Sequence, residues 1–164
     1  MKDLLYERAE RVVQELRLRG VTLATAESCT GGLIAKLITD VPGSSAVLVG
    51  GVVSYTNAVK MQVLGVDPSV IERDTEVSAA CARSMAEGAR ALMKTDLAVS
   101  ATGYAGPGGG TARDPVGTVY LGVSTPKRSF AERFCAPAGA DRIAVREAAA
   151  LRALELLLEV VAEP

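Results

Sequence analysis

Apolar residues follow two rhythms along this chain, one of period near four and one of short continuous runs. Over residues 3–19, Leu4, Leu5, Val12, Val13 and Leu16 recur among charges, and Gly20 closes the run, which predicts a first helix. Residues 21–26, Val-Thr-Leu-Ala-Thr-Ala, predict a short buried strand. Residues 30–40 predict a second helix, stopped by Val41-Pro42-Gly43. Residues 46–55 predict a second strand, in which Gly50-Gly51 marks a bulge or a close backbone approach. Asn57 is expected to cap a short helix running to Leu64, and Asp67-Pro68 opens another. Residues 78–94 predict a long, Ala-rich amphipathic helix. A third strand over 96–101 leads into a glycine-rich loop, 103–110. Strands over 116–124 and 128–135 meet at Thr125-Pro126-Lys127 as a hairpin. A closing helix over 141–161 carries Leu151, Leu154, Leu158 and Val161 on its apolar side.

Strands separated by helices place the chain in the α/β class, as a three-layer α/β/α sandwich with helices on both faces of one sheet. The late hairpin makes that sheet mixed, though mainly parallel. A length of 164 residues, without repeat, linker or low-complexity segment, fits a single domain over 1–164 with a substantial core.

Composition narrows the chemistry. The formal net charge is −1 and the Lys and Arg residues are spread out, which argues against a nucleic-acid partner. No apolar run has membrane-spanning length, and the charged start of the chain does not read as a signal peptide, so a soluble cytoplasmic protein is expected. Cys29, Cys81 and Cys135 are too widely spaced for a disulfide framework or a zinc site; Cys81 and Cys135 are expected to be buried thiols. The chain has no histidine, which excludes a Ser-His-Asp triad, a Cys-His pair and any His-ligated metal. An enzymatic base must then be Lys, Tyr, Asp, Glu or water.

Four segments could carry chemistry. Ala26-Glu27-Ser28-Cys29-Thr30-Gly31-Gly32 lies where a strand gives way to a helix, a place that suits an oxyanion or a phosphate, with Gly31 and Gly32 permitting close approach. It reads equally well as a capped turn with Ser28 or Thr30 at the N-cap. In Ser54-Tyr55-Thr56-Asn57-Ala58-Val59-Lys60, the lysine falls in a first helical turn, where the dipole and burial both disfavour its cation. Ser-Lys pairing is an alternative to Ser-His. A surface lysine and a core tyrosine are the competing reading. Ser100-Ala101-Thr102-Gly103-Tyr104-Ala105-Gly106-Pro107-Gly108-Gly109-Gly110-Thr111 matches neither the Walker A loop nor the dinucleotide fingerprint, yet could fold around an anion or a planar ligand, with a flexible surface loop as the competing reading. Arg142 and Arg146, at the start of the last helix, could grip a phosphate or serve as surface charges.

At these places the chain closely resembles the C-terminal domain family of the competence/damage-inducible protein CinA, which includes stand-alone nicotinamide-nucleotide amidohydrolases. The marks are Ala26-Glu27-Ser28-Cys29-Thr30-Gly31-Gly32, Gly50-Gly51-Val52-Val53-Ser54-Tyr55 with Asn57 and Lys60, Thr102-Gly103 with Ala105-Gly106-Pro107, Pro115-Val116-Gly117-Thr118-Val119-Tyr120, and Asp141-Arg142 with Arg146. The resemblance implies hydrolysis of nicotinamide mononucleotide to nicotinate mononucleotide and ammonia, with no metal or other cofactor. It implies Ser28 as nucleophile, Lys60 as base and Tyr55 beside them. Glu27, Thr30, Gly31, Gly32, Thr102, Gly103, Gly106 and Arg142 are the implied substrate-binding positions, and Cys29 a packing residue. A small-molecule nucleotide and further copies of the chain are the implied partners. A non-catalytic nucleotide-binding module linked to competence or DNA damage is the alternative. The chain departs from the family's usual Gly-Ala at Thr75-Glu76, which should alter a turn, and from its usual aliphatic residue at Tyr104, which could reshape the pocket. The pyrophosphatase activity of the larger N-terminal domain in full-length relatives is not expected.

Overall fold

In the computed structural model, which describes residues 1–164, the first strand is β1, Leu23–Glu27. Its successive side chains point to opposite faces, and this alternation sets the layers. Leu23 enters the larger core with α1 (Lys2–Arg19), α2 (Leu33–Thr39) and α6 (Arg142–Ala162). Ala24 and Ala26 enter a smaller core with α5 (Ala79–Met93) and the α3 (Asn57–Gln62) and α4 (Pro68–Asp74) region. The expected α/β/α sandwich is therefore present. No helix is long and apolar enough to cross a membrane.

The other strands are β2 (Leu48–Val53), β3 (Leu97–Gly103), β4 (Thr118–Ser124) and β5 (Ser129–Cys135), in the order β2-β1-β3-β4-β5. β1 runs parallel to both β2 and β3, whereas β4 is antiparallel to β3 and to β5. From β1 the chain adds β2 on one side and later β3 on the other. The crevice beyond the carboxyl ends of β1 and β3 is thus a topological switch point, where such sheets bind ligands.

The element order matches the sequence expectation, with a short 3-10 turn, Ser44–Ala46, added before β2. Several boundaries move for physical reasons. Gly20 closes α1 at φ 63°, its N–H donating to the Arg17 carbonyl. Asn57 is not the cap of α3: Thr56 Oγ1 accepts from the Val59 N–H, and Asn57 becomes the first helical residue. α2 starts at Leu33 and not near Thr30, because Gly31 and Gly32 turn the chain at φ 58° and 98°. Neither Ser28 nor Thr30 caps α2. Asp67, Ser78 and Asp141 do cap α4, α5 and α6. Both readings of Gly50-Gly51 hold, since the β1–β2 register skips Val49 and a Cβ at Gly51 would lie 2.2 Å from Thr25 Oγ1. Cys81 is buried, but Cys135 is exposed, because β5 is an edge strand with one face toward solvent. Leu154, Leu156 and Leu157 point into the core, so that stretch of α6 packs inward.

Small residues decide how closely α5 lies on the sheet. Ala82, Ala86 and Ala89 are fully buried, and the Ala82 carbonyl accepts from Ser100 Oγ across the interface. A Cβ at Gly122 in β4 would come within 2.2 Å of that carbonyl, a distance real Cβ atoms do not adopt. Gly122→Ala must therefore displace α5 or bend β4. We expect a loss of about 2 kcal/mol or more in urea unfolding, in the upper range of overpacking substitutions. An unchanged unfolding midpoint would contradict this packing.

Candidate active site

Three parallel strands end at one rim, and each delivers a polar residue to it. β1 runs into Ser28, β2 into Ser54 and Tyr55, and β3 ends at Thr102 and Gly103. The Ser28 N–H donates to the Ala101 carbonyl at 2.8 Å, and the Ser54 N–H to the Glu27 carbonyl at 2.9 Å. These bonds continue the parallel ladders one residue past the strands and fix Ser28 between them. A cavity of about 360 Å³ opens there, a size that suits a small ligand. Ser28, Lys60, Tyr55, Thr102, Gly103 and Arg142, all singled out from sequence, line it together.

Lys60 is 1% exposed, the largest fully buried side chain of the protein. Its Nζ lies 3.0 Å from Ser28 Oγ and donates to the Ser54 carbonyl at 2.8 Å and the Tyr55 carbonyl at 3.5 Å. No carboxylate pairs with it. Burial lowers its pKa below lysine's usual value, and the acidic groups near it, Cys81 first and then Glu76 and Cys29, only partly oppose this. The dipole of α3 is secondary, since that helix has just 6 residues. A neutral amine here can keep two N–H bonds to the carbonyls and direct its lone pair at Ser28 Oγ–H. That is the arrangement a general base needs.

Tyr55 is 59% exposed, so the expectation of a core tyrosine does not hold. Its hydroxyl accepts from Arg142 Nη2 at 3.0 Å, while Arg142 Nη1 donates to the Gly106 carbonyl at 2.6 Å. Arg142 thus links the β2 exit to the glycine-rich loop across the mouth of the cavity. Thr102, 1% exposed, commits its hydroxyl hydrogen to the Glu76 carbonyl at 2.7 Å.

Five residues expected to touch a ligand lie outside the cavity wall, and they support the residues that form it. Glu27 is 1% exposed and accepts from the Ile34 and Ala35 N–H groups at 2.8 and 3.1 Å. It caps α2 from the preceding strand, which a carboxylate at a helix start does well, and so has no oxygen facing a substrate. Thr30 is fully buried, and its carbonyl accepts from Arg146 Nη2 at 2.8 Å. Arg146 Nε also donates to the Cys29 carbonyl at 3.1 Å, so this arginine holds the turn that carries Ser28 and not a ligand. Gly31 and Gly32 supply the turn itself, and Gly106 presents its carbonyl to Arg142. The N–H of Cys29, on the cavity wall, donates to no other residue and is available to an oxyanion.

The cavity wall also includes Thr56, Glu76, Val77, Tyr104 and Ala105. Sequence reasoning marked Thr75-Glu76 and Tyr104 only as departures from a family pattern. Thr75 stands at φ 69°, a conformation glycine adopts without strain, so the turn keeps a glycine-like backbone despite its side chain. Burial pushes the Cys29 thiol up to about 12.

Set beside known proteins, residues 5–161 match the CinA C-terminal domain. A CinA-like protein of Myxococcus xanthus is 51% identical over 147 residues, which is 89% of this chain and 34% of that protein. A CinA-like protein of Desulfotalea psychrophila is 47% identical over 146 residues, 89% of this chain and 35% of that protein. The chain therefore spans about a third of the length of these curated relatives. Among solved structures, the competence/damage inducible protein CihA of Agrobacterium tumefaciens superposes with a TM-score of 0.92 at 38% identity, covering 96% and 95% of the two chains. The competence damage-inducible protein A (ComA) of Klebsiella pneumoniae gives 0.92 at 34% identity, covering 97% and 98%.

The thiols test the electrostatics of this region. Burial also raises Cys81, to about 11, whereas Cys135 is exposed. At pH 8 a disulfide reagent should modify Cys135 rapidly and leave Cys29 and Cys81 protonated and unreacted until the protein unfolds. Fast native-state modification of Cys29 would contradict the burial of the turn that carries Ser28.

Proposed function

The chain belongs to the CinA C-terminal domain family, and on that footing we propose that it is an amidohydrolase that converts nicotinamide mononucleotide to nicotinate mononucleotide and ammonia. The observation that carries the reading is the buried contact of Lys60 Nζ with Ser28 Oγ at 3.0 Å. A nucleophile and a base within hydrogen-bond reach, in a cavity at a switch point, are the parts needed for acyl transfer.

In the proposed reaction, neutral Lys60 takes the Ser28 proton while Oγ attacks the amide carbon. The carbonyl oxygen becomes an oxyanion, met by the Cys29 N–H. The intermediate collapses as Lys60 returns the proton to the amide nitrogen, and ammonia leaves. A water then gives one proton to Lys60 and attacks the acyl ester; Lys60 passes that proton to Ser28 Oγ as it leaves, and the acid formed loses its remaining proton to solvent as the carboxylate. Arg142, at the mouth, is the cation for the 5′-phosphate. Tyr55 orients Arg142 through its hydroxyl. Thr102 positions the wall, since its hydrogen is already committed.

Ammonia release from nicotinamide mononucleotide, measured with a chelator present, tests this directly. Ser28→Ala and Lys60→Ala should each lose at least about a thousandfold in kcat/KM, as nucleophile–base units do when broken. A Lys60→Ala enzyme with near-normal turnover would remove the base assignment. Nucleotide binding without ammonia release by the folded parent would point to a regulatory module instead.

The pH profile has a definite sign. Only the neutral amine can accept the proton, and burial lowers the Lys60 pKa. Activity should therefore rise with pH along one ionisation whose midpoint lies below lysine's ordinary value of 10.5, and level off above it. Activity that falls across that range would count against a neutral lysine base.

A further inference from the structure

Glu76 is the one carboxylate among the residues on the cavity wall. It stands in the turn between α4 and α5, half-buried, and its side chain forms no hydrogen bond or ion pair within the protein. Its carbonyl and the turn on either side of it are held by three hydrogen bonds. Thr102 Oγ1 donates to its carbonyl at 2.7 Å, the Val77 N–H donates to Thr75 Oγ1 at 3.3 Å, and Ser78 Oγ donates to the Thr75 carbonyl at 3.0 Å. The basic side chains that share the wall are engaged elsewhere. Arg142 is held by Gly106 and Tyr55, and Lys60 by Ser28 and the Ser54 carbonyl. The charge of Glu76 is nonetheless felt across the cavity, where it favours the protonated forms of Lys60 and Tyr104.

A carboxylate drawn partly out of water and left without a partner is costly, and a cationic ligand group offsets that cost. The lasting cation on the wall is Arg142, since Lys60 serves there as a neutral amine. Arg142 suits a phosphate, but it opposes a positively charged ring.

Resting on the amidohydrolase reading, we propose that Glu76 is a specificity residue that selects carboxamides borne on a permanently cationic ring, N-substituted pyridinium carboxamides, over carboxamides on neutral rings. The ring carries its charge on the quaternary nitrogen, and Glu76 supplies the counter-charge that the rest of the wall lacks. After hydrolysis the ring keeps its positive charge but gains a carboxylate, so the net attraction to Glu76 is weaker for the acid than for the amide.

The test uses two ligands that differ in ring charge, nicotinamide mononucleotide and its reduced form, whose dihydropyridine ring is uncharged. Both are titrated into Ser28→Ala protein with Glu76 intact, with Glu76→Gln and with Glu76→Ala, while ammonia release from nicotinamide mononucleotide is followed for the parent. With Glu76 intact the cationic ring should bind more tightly, and in both Glu76 variants the preference should fall on the order of tenfold, the scale of one half-buried charge pair. The affinity for the neutral ring should hold. In the Ser28-containing enzyme, Glu76→Gln should also move the midpoint of the pH profile downward, because the charge that favours the Lys60 ammonium is gone, a change a merely structural role would not make. Ammonia release by the parent together with an unchanged ligand preference in both variants overturns the role of Glu76 and leaves the amidohydrolase reading standing. A folded parent that releases no ammonia and binds neither ligand overturns that reading, and this inference with it.

Discussion

The amine of Lys60 is shut away from water beside a serine hydroxyl, and no carboxylate meets it there. A lysine so placed is destabilised as a cation, and the protein tolerates it because two main-chain carbonyls take its N–H groups. Much of the architecture around it serves to keep that geometry. The carbonyls of Ser54 and Tyr55 lie just beyond β2, and the Ser28 hydroxyl just beyond β1, so the parallel pairing of these strands sets the distance between the Lys60 amine and the Ser28 hydroxyl. A conventional ion pair at the same place would hold lysine charged and leave nothing to accept a proton.

A second layer of contacts keeps the first in place. Glu27 ties the end of β1 to the first turn of α2, and Arg146 reaches from α6 to the Cys29 and Thr30 carbonyls. The turn that carries Ser28 is thus pinned from the strand before it, the helix after it and the last helix of the chain. The opposite wall is pinned by Thr102 on the Glu76 carbonyl, and the mouth by Arg142 between Tyr55 and Gly106. Several polar residues that look like ligand contacts in the sequence spend their hydrogen bonds on main chain. Such support is what positions reactive groups to within a fraction of an ångström.

The layered fold was legible because its signals are local. Gly20, Asp67, Ser78 and Asp141 each mark a helix end where the structure has one, and the hairpin turn at Thr125-Pro126-Lys127 falls between β4 and β5. Where sequence reading failed, the deciding contact was usually long-range, or two neighbours were equally suited. Thr56 and Asn57 are both good caps, and only the observed turn chooses Thr56. Glu27 could be recognised as a cap only by knowing that α2 folds back to residues seven and eight positions on. The exposure of Cys135 depends on β5 being an edge strand, and sheet order is not written in a single strand. Ser28 and Lys60 emerged from their motifs, whereas the burial that gives Lys60 its character comes from a six-residue helix with no periodicity to read. Glu76 was visible only as an oddity in a turn. Its place on the cavity wall follows from the Thr102 bond across 26 residues of chain.

The account stands or falls on the protonation of one amine. Lysine-selective labelling with carbon-13 and nitrogen-15, assigned by a Lys60→Arg variant, allows the Lys60 Nζ to be titrated by NMR in the intact protein. The expected midpoint lies clearly below the ordinary lysine value of 10.5. A Lys60 that stays protonated up to or beyond that value would be a buried cation and not a base, and the proposed mechanism would have to be abandoned.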